Sequence, residues 1–443
     1  MSSAASFLVV LDSLVVATAL TSIRRDLGSS LDGLEWTVNA YTLSFAVLLL
    51  SGAALGDKLG RRRVFAAGLA LFAAASAGCA LAPSVGVLIA ARAVQGAGAA
   101  AVMPMALALL NAAFPAHRRG RAIGMYGSIT SVAVVLGPVL GGAVTQGLGW
   151  QWVFWVNVPV ALAAVPLVLT RLAEPPRPGG AVDLPGLLLA AVAALGLAWG
   201  LVRGNAAGWG SAETIGALIA GAVAAVAFGA WQRRAKAPML PPRLLRSRAL
   251  SAGNVAIFAL NGSLTIVVFL MPQFQQVVSG QDPLGAGLRL LPWGVAPFLL
   301  ASPAGALADR IGARSLSLAG LAVQAAALGW MAAVVTPGVS YGALVAPIVL
   351  SGVGLAVAIP SLTRSATATT PLADIGKASG AFATMRQLGA AFGVAIGGAA
   401  FTAAGAITSA QAFSDGFRAA LIVAAALAVA GLIAAAALPG RAR

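Results

Sequence analysis

One cysteine and one histidine stand in a chain of 443 residues, and only 9% of its residues are charged. Lone Cys79 has no partner for an internal disulfide, and no thiolate cluster is available to a metal. Lone His117 lies in the basic stretch Ala116-His117-Arg118-Arg119 and reads as solvated rather than as a ligand. Acids are scarce too, with twelve Asp and Glu against 28 Lys and Arg. Soluble domains carry about 25% charged residues, so this chain has too few polar side chains to cover a water-facing surface. No Gly-x-x-x-x-Gly-Lys-Ser/Thr loop is present, which excludes nucleotide hydrolysis through that motif. The N-terminus lacks the basic segment and small-residue cleavage site of a signal peptide, so the first apolar run is expected to stay in the protein.

Apolar residues make up 60% of the chain, in runs near the length of about 20 that crosses a bilayer as a helix. The hydropathy pattern predicts an all-α integral membrane protein with spans near 4–23, 38–56, 64–82, 86–110, 121–146, 152–170, 184–202, 212–230, 250–272, 285–307, 315–335, 341–363, 378–404 and 418–438. The net charge of +16 would suggest nucleic acid in a soluble protein. Here the basic residues sit in short gaps between spans, so the expected partner is the lipid bilayer and no nucleic acid. Alternate loops hold 21 and five Lys or Arg. That asymmetry places the richer set, and both termini, in the cytoplasm. Arg outnumbers Lys 25 to 3 amid abundant Ala and Gly, a bacterial bias that points to the inner (plasma) membrane.

The two ends of the chain repeat each other. Asp57-Lys58-Leu59-Gly60-Arg61-Arg62 recurs 252 residues later as Asp309-Arg310-Ile311-Gly312-Ala313-Arg314. Gly96, Gly98 and Pro104 recur 256 residues later as Gly352, Gly354 and Pro360, and Gly137, Gly141 and Gly142 as Gly393, Gly397 and Gly398. Both copies enter their helix pair from one side, so the repeats are parallel. The expected organisation is a six-helix bundle over 1–172, two inserted helices over 173–235 and a second six-helix bundle over 236–443. Parallel six-helix halves are the arrangement of the major facilitator superfamily, which the chain resembles. The 6+2+6 count resembles its fourteen-helix drug:proton antiporter branch.

The motifs carry that resemblance further. Gly56-Asp57-Lys58-Leu59-Gly60-Arg61-Arg62-Arg63 is similar to the superfamily's cytoplasmic loop motif, with Ala53 where the family has a Gly and Gly305 intact in the second copy. Asp57 is expected to cap a neighbouring helix or pair with Arg61, latching the halves in one state. Arg92-Ala-Val-Gln95-Gly96 resembles the family's helix-four motif. Gly137-Pro138-Val-Leu-Gly141-Gly142 resembles the helix-five motif that marks antiporters, which implies export rather than uptake. Val394 takes the place of the Pro in the second half. Leu11-Asp12 and the stretch Trp150 to Pro159 resemble the branch's helix-one and Trp-rich outer-loop patterns.

Asp12 is the one acid that falls well inside a predicted span. At about 1.5 Å per residue it lies close to the bilayer midplane, where a charge is costly. It is therefore the expected proton-coupling residue. Arg92 is its candidate partner, although the predicted spans put Arg92 nearer the outer face. Glu35 and Asp32, placed just before helix two, are reserves. Trp36, Tyr41, Phe45, Asn254, Phe258, Asn261, Gln273, Phe274, Trp293, Met385, Arg386 and Gln387 are candidates for a cavity binding varied amphipathic molecules. With no buried His and no second intramembrane acid, no catalytic residue is expected. The resemblance implies a monomer, free of cofactors and driven by the proton gradient, that exports hydrophobic or amphipathic compounds by alternating access. A dedicated exporter of one metabolite, antibiotic or lipid precursor, or a proton-coupled importer, stays open.

Overall fold

A computed structural model describes residues 1–114, 116–174, 183–236, 238–367, 370 and 375–439, with backbone alone for 116–124, 205–206, 245, 301–302, 305–306, 308–310 and 366–367. The side chains of His117, Asp309 and Arg310 thus lie outside the described residues. Helices α1 (Ser2–Leu27), α2 (Leu31–Leu59), α3 (Arg61–Ala80), α4 (Val85–Ala113), α5 (Ala116–Gly147), α6 (Trp152–Trp155) and α7 (Asn157–Arg171) make the first group. Helices α8 (Leu184–Ala207) and α9 (Ala212–Gln232) form a hairpin. Then follow α10 (Pro242–Leu245), α11 (Arg248–Val277), α12 (Pro283–Arg289), α13 (Leu291–Ile311), α14 (Ala313–Val334), α15 (Tyr341–Thr367), α16 (Ile375–Ala404) and α17 (Ala410–Ala436). No strand occurs among the described residues.

Among the described residues fourteen spans are long and apolar enough to cross a membrane, and they coincide with the predicted ones. α6 and α7 share one span. The largest differences are starts: α2 begins at Leu31 and α17 at Ala410, seven and eight residues before the hydropathy edges. Ser30 and Ser409 accept hydrogen bonds from the amides of Gly33 and Ala412, capping both helices in polar sequence. Hydropathy marks where lipid begins, whereas the helix begins at its cap.

The repeat survives as repeated contacts. A methyl group on Gly98 would lie 2.8 Å from Phe72 N and 3.0 Å from Gly68 O, so α3 and α4 touch backbone to backbone. At the equivalent place, a methyl group on Gly354 would lie 2.8 Å from both Gln324 N and Gly320 O, so α14 and α15 touch in the same way. Likewise Gly96 backs on the Tyr41 carbonyl and Gly352 on the Trp293 carbonyl. Small residues let membrane helices approach this closely.

Two seams join the halves: α2 against α16, and α1 and α5 against α11, α12 and α13. They close at the face poor in arginine. There Gln146 Nε2 donates to Asp282 Oδ2 at 3.1 Å, and Gln276 Nε2 donates to Thr18 O at 3.0 Å. The α8–α9 hairpin packs closely at Gly221, where a methyl group would lie 2.6 Å from Leu197 N. It covers only the first seam. Ala194 and Ala198 of α8 pack with Leu43 and Val47 of α2 and Ala391 of α16.

Candidate functional site

A polar cluster is buried inside the first group of helices, between α1, α2, α3, α4 and α7. Asp12 on α1 receives Arg92 Nη1 at 2.5 Å, Gln95 Nε2 at 2.9 Å and Asn157 Nδ2 at 2.8 Å. Every one of these contacts comes from a donor, which suits an acceptor-only carboxylate. Arg92 also donates to Gln95 Oε1 at 2.6 Å and to the Thr37 carbonyl at 3.2 Å. Its guanidinium lies 4.1 Å over the Tyr41 ring, and the Tyr41 hydroxyl donates to Val9 O. Gln95 donates in turn to Ser76 Oγ at 2.7 Å. Asp12 and Arg92 are each 1% exposed, so Arg92 does not reach for the membrane surface. It sits seven residues into α4, and its long side chain spans the difference in depth that the predicted edges implied.

Asp12 does not face the space between the halves. Leu14, Ala17 and Thr18 of α1 face it, across from Val268, Pro272, Trp293, Met331, Ile348 and Ser351 of the second half. This central space has a free volume of about 10 Å³, no more than one water needs. Leu11, Asp12 and Val15 instead line a separate side space of about 180 Å³ with Leu140, Val144, Val153, Val156 and Asn157. The helical period puts these two sets on different faces of α1.

Glu35 corrects the sequence reading of a single intramembrane acid. It stands inside α2 and is 2% exposed. The helix starts just after its Ser30 cap, seven residues before the hydropathy edge, which carries Glu35 into its second turn. Of the cavity candidates, Trp293 lines the central space. Trp36 instead stacks on Trp199 of α8, with ring centroids 5.2 Å apart. Tyr41 lies under Arg92, and Phe45 meets its edge at 6.0 Å. Phe274 is enclosed by Phe413 and Phe417 of α17. Asn261 and Gln273 donate to carbonyls of their own helix, Ile257 O and Phe269 O. These six side chains are thus committed to packing or to their own helix. Asn254 is buried with Oδ1 unpartnered, Phe258 meets Phe392 of α16 at 5.8 Å, and Met385, Arg386 and Gln387 are half-buried on α16.

The chain matches the family profile described as Major Facilitator Superfamily over residues 3–295 and again over 253–443. It is 36% identical to the multidrug resistance protein Stp of Mycobacterium tuberculosis, covering 90% of this chain and 74% of that one. The chain belongs to the major facilitator superfamily. It is also 38% identical to the cephamycin export protein CmcT of Amycolatopsis lactamdurans, over 88% of this chain and 82% of the relative. The tetracenomycin C resistance and export protein of Streptomyces glaucescens is 34% identical, over 88% and 72%. In fold the chain is similar to the nucleoside transporter NupG, with TM-score 0.67 at 12% identity over 98% of each chain. It is likewise similar to a partially occluded, inward-open form of the xylose transporter XylE from E. coli, with TM-score 0.65 at 15% identity over 98% and 94%.

The superfamily's loop motif has a physical task here that its sequence did not reveal. Asp57 pairs with Arg61 at 2.9 Å. Arg62 donates to Leu169 O at 3.2 Å and Leu172 O at 3.1 Å, and its amide donates to Glu174 Oε1. Arg314 repeats this by donating to Ala436 O at 2.7 Å. Each arginine therefore binds the carbonyl end of the last helix of its own half, where the dipole favours a cation. Among the described residues the motif ties helices within a half, not the two halves to each other. The helix-five motif does join neighbours: a methyl group on Gly137 would lie 2.7 Å from Leu14 Cβ and one on Gly141 2.6 Å from Val15 O, while one on Gly142 would overlap the Pro283 carbonyl. Sequence reading missed Asn157, Thr37 and Ser76. Asn157 lay in the quoted Trp-rich stretch, and its place after a break between α6 and α7 was the available signal.

Proposed function

We propose that this protein exports small hydrophobic or amphipathic compounds, antibiotics among them, from a bacterial cell in exchange for protons. It works as a monomer in the plasma membrane, with the arginine-rich face and both termini in the cytoplasm. The names of the relatives support drug export, and the charge asymmetry of the loops supports the orientation. The observation that carries the proton part is the Asp12–Arg92 pair, a carboxylate and guanidinium buried together beside a side space. Protonating Asp12 removes the charge that balances Arg92. A buried pair that loses one partner costs about 3–5 kcal/mol, enough to shift a two-state equilibrium decisively. Arg92 joins α4 to α1 and to Thr37 of α2, so the proton is felt where these helices meet. Substrate binds in the central space once it opens, so proton and cargo take different routes.

Transport in proteoliposomes under an imposed pH gradient tests this. Asp12→Asn keeps the shape, trades one acceptor oxygen for a donor and takes up no proton, so gradient-driven transport should disappear while substrate exchange persists. Full gradient-driven transport by Asp12→Asn would exclude Asp12. Two relatives are named for a single antibiotic, which favours a dedicated exporter as the second reading. A resistance profile across unrelated drugs and dyes separates the two, since a dedicated exporter protects against few.

A further inference from the structure

Exchange at Asp12 leaves Glu35 without a task. One of its carboxylate oxygens is buried with no hydrogen-bond partner. It is aimed across the seam between the halves: a methyl group on Gly398 of α16 would overlap the Glu35 carboxylate. Charged neighbours lie on the elements around it. Asp32 stands one turn earlier on α2, Arg203 of α8 is 3.8 Å from Asp32, and Glu213 of α9 is 3.1 Å from Arg203. At this level α16 offers Gly397, Gly398 and Thr402, none of them charged.

The repeat shows what is unusual here. At the offset of 252 Glu35 corresponds to Gly287, and at 256 Gly398 corresponds to Gly142. In the other seam these glycines rest on backbone, Gly287 on the Pro138 carbonyl and Gly142 on the Pro283 carbonyl. At this level one seam closes by glycine against backbone, its Asp282 carboxylate lying exposed and hydrogen-bonded to Gln146; its counterpart closes around a buried carboxyl group. The α8–α9 hairpin covers this α2–α16 seam from the side, so water reaches Glu35 when the halves part at the arginine-poor face.

We propose that Glu35 is a second proton-binding site, one that gates the transporter and carries no proton across. The closed seam encloses the neutral acid, because a charge there would be buried without a partner. Opening hydrates Glu35 and lets it ionise. Its proton enters and leaves by the same opening, so it adds nothing to the exchange ratio. The gate instead opens more readily as pH rises on that side. The inference rests on the orientation proposed above, which makes that side the cell exterior.

The test is labelling of Thr402→Cys, one turn beyond Gly398, by a membrane-impermeant maleimide at varied external pH. Thr336→Cys in the exposed turn after α14 corrects for thiol reactivity, and native Cys79 is buried. Corrected labelling should fall as external pH drops, by at most about tenfold per pH unit for one proton. Glu35→Gln should label weakly without pH dependence, and Glu35→Asp should restore the dependence. Glu35→Gln should also keep the wild-type proton-to-substrate ratio, whereas Asp12→Asn should lose gradient-driven transport yet keep the gate's pH response. If Glu35→Gln labels with the wild-type pH dependence, or changes the ratio, the proposal is overturned whatever Asp12 does.

Discussion

Breaking the Asp12–Arg92 pair one partner at a time, and then both together, separates its structural role from its proton role. The two side chains are 0% and 1% exposed. At a charge separation of about 4 Å and an effective dielectric of about 20, their attraction is about 4 kcal/mol. Removing one partner of a buried pair costs about 3–5 kcal/mol, because the other charge is left alone. Asp12→Asn should fall at the low end, since Arg92 keeps Gln95 Oε1 at 2.6 Å and Thr37 O at 3.2 Å. Arg92→Gln should also be partly relieved, because the amides of Gln95 and Asn157 still reach Asp12. The double variant orphans no charge, so its cost should undercut the sum of the singles by about 2–3 kcal/mol. Unfolding in mixed micelles, followed by tryptophan fluorescence, measures this. Additivity within about 0.5 kcal/mol would refute the pairing. Recovered stability without recovered gradient-driven transport is the expected combination, since the double variant has no carboxyl to protonate.

Gly142→Val should slow transport strongly, because the added side chain meets the Pro283 carbonyl and prises α5 from α12; weaker crosslinking of a cysteine pair at Gln146 and Asp282 would report it. Arg62→Ala should cost about 0.5–1.5 kcal/mol per hydrogen bond lost to Leu169 and Leu172, read as earlier thermal unfolding, and Arg314→Ala should act in the same direction. Asp183 caps α8 and receives Trp231 Nε1 at 2.7 Å and Gln232 Nε2 at 2.8 Å. Burial pushes its carboxyl up, but the hydrogen bonds of Trp231, Gly186 and Gln232 outweigh burial and hold it below the ordinary 3.8. The anchoring it gives the hairpin should therefore be complete above about pH 4 and fade as pH falls through the lowered value. A fluorescence titration that shows the same acid transition in Trp231→Phe would remove Asp183 as its cause.

The spans and the repeat were legible because bilayer thickness and helix contact impose them on composition. Gly68 on Gly98 and Gly320 on Gly354 are one contact written twice in the sequence. Asp12 was legible by elimination, as an acid in an apolar run. Its surroundings were not, because Gln95 and Asn157 reach it from α4 and α7 and no spacing records a meeting of four helices. Nor does spacing say which face of α1 meets the other half. Glu35 was hidden by its neighbours: Leu31-Asp32-Gly33-Leu34-Glu35 is too polar to read as membrane, yet its cap makes it helix. Trp36 and Tyr41 were misleading for a related reason, since aromatic side chains near a cavity serve equally well against the inserted hairpin or beneath a buried guanidinium.

The repeat also shows how one ancestral contact pattern came to divide its labour. At the offset of 256, Arg92 corresponds to Ile348 and Gln95 to Ser351. The second half keeps the glycine contacts but places there an apolar side chain and a hydroxyl, which donates to Gln324 at 3.0 Å. Ile348 and Ser351 line the central space. The charged cluster thus belongs to the first half, and most of the wall of the central space to the second. Only α1 and α5 border both the central space and the side space at Asp12. These are the helices that Gly137 and Gly141 bring into contact, at Leu14 and Val15. On the mechanism proposed above, a proton arriving at Asp12 pulls on one face of α1, while the opposite face borders the central space. A smooth glycine surface on α5 lets α1 shift against it without unpacking, which gives the helix-five motif a mechanical reason to accompany exchange of protons for cargo.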